Sequence, residues 1–157
     1  MITLKLNAIK TIAKILVLVV FTTCIGEINY NGDILNMINQ ARTKGYKCEN
    51  IHYKPVGELA WSSQLEKAAL IQCNYMDSVK ELNHIWKDGT NLEKRLTIVG
   101  YKGRAGENIA WGQQMESDVI KDWLNSPEHS ELLMFGGFNI VAVARKDNYW
   151  TMVLGYK

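Results

Sequence analysis

Residues 138–155 read FNIVAVARKDNYWTMVLG, and this stretch decides the fold class. Phe138 to Ala144 and Tyr149 to Gly155 are two apolar runs rich in β-formers. Asp147-Asn148 lies at the turn between them, so the pair reads as a β-hairpin. Several segments before it repeat apolar residues at helical spacing. Helices followed by strands imply an α+β domain, with helices packed on an antiparallel sheet.

Moving outward from the hairpin, Ser126-Pro127 reads as an N-cap followed by proline at the first helical position. It opens a short helix carrying His129, Leu132 and Leu133. Val119, Ile120 and Trp123 lie on the helix before it. Gly103, Gly106 and Gly112 mark loops around a short run, Glu107 to Trp111, and Asn108 is a candidate to hold that loop by a local hydrogen bond. Thr90 with Glu93 and Ser63 with Glu66 form two capping-box patterns. The first opens a short helix with Leu92, Leu96 and Val99 inward, closed by Gly100. The second opens a long helix to about Glu81, with Leu65, Ala69, Cys73, Met76 and Val79 on one face and His84 just past its end. A first helix runs from Asp33 through Ile34, Met37, Ile38 and Ala41 to a stop at Gly45. Cys48 to Gly57 reads as irregular.

The 157 residues include 47% apolar side chains, five Trp and seven Tyr, enough to fill one domain core. The first 24 residues hold Lys5, Lys10 and Lys14 and no acid. Beyond them 15 basic residues face 16 acidic ones, so the remainder is near neutral. Its Lys and Arg are scattered and read as a solvated surface. No basic stripe is present to neutralise phosphates, which argues against nucleic acid as a partner.

The N-terminus has the three parts of an export signal: Lys5 to Lys14, the apolar run Ile15 to Phe21, then Thr22-Thr23-Cys24-Ile25-Gly26. The run is far shorter than the roughly 20 residues that span a bilayer, so no transmembrane segment is expected in the mature chain. Cleavage after Gly26 gives a signal over residues 1–26 and a domain over 27–157. The alternative is a lipoprotein signal ending before Cys24. A secreted, periplasmic or envelope location follows, lipid-anchored under the alternative. Export favours paired thiols, and a Cys48–Cys73 disulfide is expected. It would close a loop of about 25 residues, contributing about 3 kcal/mol on the chain-entropy model.

Read together in order, LNMINQAR, LAWSSQLEKAALIQCNYM, LNH, DGTNLEKRLTIVGY, GENIAWG, DWLNSPEHSELLM and YWTMVLG resemble the bacterial-type SCP/CAP domain (cysteine-rich secretory, antigen 5 and pathogenesis-related proteins), from about Asp33 to Gly155. The resemblance implies a three-layer α–β–α sandwich with a central antiparallel sheet. It also implies a surface cleft lined by His84, Glu107 and His129, which in some members binds zinc or another divalent cation. His84 and His129 would then be the metal ligands. The match has departures. Family members with a second cleft glutamate carry it in a W-x-x-E segment, whereas Trp123 here is followed by Leu124, Asn125 and Ser126. The usual Gly-His is Glu128-His129, and Ser130 follows. Glu128 and Glu131 are the nearby acids.

From spacing alone each histidine would be assigned a structural or exposed role, because no HExxH helix fixes two ligands. His52 falls outside the motifs and reads as surface. Trp61, Trp111, Trp123 and Trp150 read as core, and Trp86 as core or a wall of the cleft. Ser126 reads as a helix cap. The resemblance implies three candidate functions. The first is an exported binding module for an extracellular or envelope ligand. The second is a metal-dependent hydrolase, with Glu107 or a metal-bound water as base. The third is a lipid or sterol carrier.

Overall fold

A computed structural model describes residues 30–157; the expected export signal over residues 1–26, with Cys24, lies outside the described residues. Helix α1 spans Tyr30–Lys44 and a small hairpin follows, β1 Tyr46–Cys48 and β2 Ile51–Tyr53. Strand β3 is Ala60–Trp61. Helices α2 (Ser63–Val79) and α3 (Leu92–Ile98) precede β4, Ala105–Trp111. Helices α4 (Glu116–Asn125) and α5 (Pro127–Leu133) precede the hairpin β5 (Ile140–Lys146) and β6 (Tyr149–Gly155).

The main sheet has the order β3-β5-β6-β4. β5–β6 and β6–β4 are antiparallel, and the two-residue β3 runs parallel to β5 at the far edge. The hairpin forms where its sequence predicts, with Lys146 opposite Tyr149 and Asp147 at φ 50 in the two-residue turn. Every residue of β6 is buried, because the strand is central and covered on both faces.

Alternation along the strands builds two cores. Val141, Val143, Trp150, Met152 and Leu154 point to one face, against Ile34 and Ile38 of α1, Val119 and Trp123 of α4 and Leu133 of α5. Ala142, Ala144, Tyr149 and Val153 point to the other, against Leu65, Ala69, Cys73 and Met76 of α2 and Leu96 of α3. Period-2 alternation in a two-sided sheet sends successive side chains to opposite layers. The result is an α–β–α sandwich.

Several local expectations shift. The run around Glu107 is not a loop but strand β4, paired along its length with β6. Cys48 to Gly57 contains the β1–β2 hairpin, with Glu49 at φ 50 in its turn. Ser62, not Ser63, caps α2 by accepting from Leu65 N–H, and Asn91, not Thr90, caps α3. Glu66 does not close a capping box, because its Oε2 accepts the Trp61 indole N–H at 3.0 Å. Trp123 and Trp150 are core, whereas Trp111 is 57% exposed at the end of the edge strand.

The expected Cys48–Cys73 disulfide is absent, and both thiols are free and buried. Cys73 sits beneath α2, its Sγ on Ala144 O at 3.3 Å and Thr151 Oγ1 at 3.2 Å. Cys48 ends β1, whose Tyr46 packs into the opposite core and bonds Asn125 of α4. Strand β1 packs against α4, whereas Cys73 lies in the core on the α2 side of the sheet.

The basic residues are not all solvated. Arg42 and Arg95 are fully buried. Arg42, in the last turn of α1, donates to four carbonyls: Gly57 (2.8 Å), Leu133 (2.6 Å), Phe135 (3.1 Å) and Phe138 (3.3 Å). It ties α1 to the end of α5 and to the entry of β5. Burial pulls its pKa below the ordinary value.

Candidate functional site

The segment Gly106-Glu107-Asn108 organises the site, and each residue has a separate task. A Cβ on Gly106 would lie 2.4 Å from Leu132 of α5, so the missing side chain lets α5 lie close against β4. Glu107 and Asn108 point to opposite faces of the strand. On one face Glu107 holds the His84 loop; on the other Asn108 Nδ2 donates to His129 O at 3.0 Å and fixes the start of α5. The two histidines therefore flank β4.

Glu107 is almost out of solvent, with 3% of its side chain exposed, while His84 is 52% exposed. Oε1 of Glu107 meets Nδ1 of His84 at 2.9 Å, and Oε2 accepts from Arg95 Nη2 at 2.5 Å. A carboxylate oxygen accepts, so the proton of neutral His84 is on Nδ1 and Nε2 carries the lone pair. Arg95 also donates from Nη1 to His84 O at 3.1 Å, so the two partners of Glu107 are tied to each other. The Arg95 Nε atom is buried without a hydrogen-bond partner among the described residues.

The loop bearing His84 is held from below. Gln72 of α2 donates to Asn83 O at 2.6 Å and accepts the Trp86 indole N–H at 2.7 Å. The Trp86 ring stacks on Tyr75 at 4.4 Å and 11°. Tyr75 Oη accepts Lys87 N–H at 2.8 Å. Trp86 is thus a half-buried buttress of the loop.

His129 sits in the first turn of α5, half-buried, with Nδ1 2.8 Å from Ser126 Oγ. Ser126 caps α5 through its carbonyl, which accepts Ser130 N–H, while its hydroxyl serves the imidazole. Burial lowers the pKa of His129; Glu128 opposes that shift and His84 adds to it. Ser130 turns inward, with Oγ on Tyr53 Oη at 3.2 Å. His52 is exposed on β2. Glu131 lines a separate hollow with Leu132, Phe135 and Phe138.

Whether this donor set fits zinc is a question of free lone pairs. Both Glu107 oxygens are engaged, and Nδ1 of each histidine is engaged. What remains is one Nε2 on each ring. Catalytic zinc uses three protein ligands; two imidazoles with a carboxylate behind one of them fall short. Among the described residues no three His, Cys, Asp or Glu side chains group as a metal site.

A family model, that of the cysteine-rich secretory proteins, matches residues 35–154, nearly all of the described chain. The chain belongs to the cysteine-rich secretory protein (CAP) family. Solved structures share its fold. An extracellular SCP-domain protein of Bacillus anthracis str. Ames is 24% identical, with a TM-score of 0.71, over 82% of this chain and 40% of that one. An outer surface protein of Borrelia burgdorferi is 20% identical, TM-score 0.67, over 80% and 91%. A cysteine-rich secretory protein of Staphylococcus aureus subsp. aureus Mu50 is 16% identical, TM-score 0.60, over 83% and 40%. The CAP domain here thus spans less than half the length of the Bacillus and Staphylococcus proteins. Among curated proteins no sequence matches the chain.

Sequence reasoning missed Arg95 and the second role of Ser126. A signal for Arg95 was available. Leu92 and Leu96 set the inward face of α3, and Arg95 is three residues after the first of them.

Proposed function

We propose that this CAP domain is an exported binding module that holds its ligand between His84 and His129, through the two Nε2 atoms. The observation that carries the reading is the double engagement of Glu107 by Arg95 and His84. A carboxylate so engaged orients an imidazole and is poorly placed to take a proton from water. Two rings fixed at Nδ1 present an ordered pair of Nε2 atoms, that of His84 an acceptor, which suits recognition of a polar ligand. Export rests on the basic and apolar N-terminal pattern. It agrees with the extracellular and outer-surface descriptions of the Bacillus and Borrelia relatives. No helix among the described residues is long and apolar enough to cross a membrane.

The experiment is capture of the native ligand from secreted or envelope material, identified by mass spectrometry, followed by affinity measurement. We expect affinity unchanged by chelator and at least tenfold weaker in His84→Ala. Turnover of the ligand, abolished together with binding by chelator, would overturn the reading in favour of the hydrolase. Copurified sterol or fatty acid would overturn it in favour of the lipid carrier. Intact mass separates cleavage after Gly26 from a diacylglycerol on Cys24.

One observation favours a second reading, a divalent cation on the same two Nε2 atoms. Carboxylate-to-Nδ1 contact is the arrangement that supports metal-bound histidine, and Glu107 would hold His84 in that way. Water or the bound ligand would have to complete the coordination.

A further inference from the structure

Strand β4 is at the edge of the sheet. Its register with β6 is fixed at both ends: Tyr156 N–H donates to Arg104 O at 3.2 Å, and Gly112 N–H donates to Asn148 O at 2.9 Å. Antiparallel pairing alternates, so even-numbered residues of β4 bond β6 and odd-numbered residues turn their N–H and C=O outward. Ile109 O is taken by the Trp123 indole at 3.3 Å. The outward groups of Ala105 and Glu107 have no partner among the described residues. Beside Ala105 opens a groove of about 800 Å³, lined by Leu92, Leu96, Phe135, Phe138 and Tyr156. Phe135 and Tyr156 are more than half exposed.

We propose that the β4 edge at Ala105 and Glu107 docks an extended polypeptide, added as a further strand between the His84 loop and α5 and continuing into the apolar groove. Free strand donors and acceptors match a peptide backbone, which presents both at the same repeat. A lipid chain offers nothing to them. Side chains of an added strand alternate between the two layers, and apolar surface waits on both, Leu92 and Leu96 on one side and Phe135 and Phe138 on the other. Glu93 lines the same groove, and Glu128 and Glu131 line the adjoining hollow, with Arg104 the one opposing charge on these walls. The partner is therefore an extended segment with apolar side chains and basic flanks. This deepens the binding-module reading and rests on it.

The test uses the domain from residue 27 onward, folded as described, and a capped peptide Lys-Val-Leu-Val-Leu-Lys as probe. Backbone recognition tolerates sequence, so this probe suffices at millimolar concentration. We expect amide hydrogen exchange at Ala105 and Glu107 to slow at least tenfold on peptide addition. The same peptide N-methylated at alternate amides should lose that effect. Ala105→Pro removes an outward N–H without touching the β6 ladder, and should weaken binding at least tenfold at unchanged Tm. No slowing at either amide overturns the proposal, as does equal binding of the N-methylated peptide. Slowing that appears without peptide and grows with protein concentration assigns the edge to a second copy and overturns it. Binding to phosphatidylglycerol–phosphatidylcholine vesicles with exchange unchanged at both amides assigns the groove to lipid and overturns it. Loss of peptide binding in Ala105→Pro but not in His84→Ala would support the edge while removing the two-imidazole cleft as the reader.

Discussion

Arg95 and Glu107 form an ion pair in which neither side chain reaches solvent: Nη2 meets Oε2 at 2.5 Å, with exposures of 0% and 3%. The pair lies behind His84, not in front of it. Its position gives the carboxylate the task of fixing an imidazole, and it binds α3 to the edge strand.

Breaking this pair from one side leaves a buried charge without its partner. Arg95→Met should cost about 3–5 kcal/mol in chemical unfolding. Adding Glu107→Gln to Arg95→Met should recover part of the loss, with a coupling of at least about 1.5 kcal/mol in the double-mutant cycle. Additive single effects would contradict the pairing.

The central hairpin and the buried helix faces were legible because their periods, 2 and 3.6, are written in the apolar residues. Strand β4 was not, because Gly103, Gly106 and Gly112 mimic loop punctuation. Gly106 is in fact there for the approach of Leu132. His84, Glu107 and His129 were legible only through resemblance, since they are far apart in sequence and on different elements. Buried Arg42 and Arg95 were read as solvated because composition gives no hint of which cations find carbonyl or carboxylate partners. The cysteines misled for a related reason: export favours pairing, but Cys73 is in the core on the α2 side and Cys48 on a strand packed against α4.

Arg42 is the tie between α1 and the segment joining α5 to β5. Arg42→Met keeps the bulk and strips a donor from four carbonyls, at a cost of about 1–3 kcal/mol for each one left dry. The expected total loss exceeds about 3 kcal/mol by urea unfolding. A loss under about 1 kcal/mol would show that water replaces the guanidinium.

Burial pushes the Cys73 thiol up to about 11, so it stays protonated and unreactive in the fold. The domain over residues 27–157 should show no reaction with a thiol reagent when native. Two thiols, Cys48 and Cys73, should titrate in denaturant without reductant. None would restore the disulfide.

His129 has a folded pKa below its ordinary 6.5 because burial disfavours the imidazolium. On acidification the unfolded chain takes up that proton first, so this residue's contribution is present above about pH 6.5 and is lost as pH falls through the lowered folded value. Urea midpoints should drop between about pH 7 and about pH 5, and less steeply in His129→Gln. An equal slope in both proteins would remove His129 as the cause.

The central claim is that Glu107 fixes the proton of His84 on Nδ1 and leaves Nε2 for the ligand. Long-range proton–nitrogen correlation NMR on ring-labelled histidine reads this directly. At neutral pH the account predicts a protonated-type shift at Nδ1 of His84 and a lone-pair-type shift at Nε2, with the preference lost in Glu107→Ala. The reverse tautomer in the wild type, or a tautomer indifferent to Glu107→Ala, would contradict it.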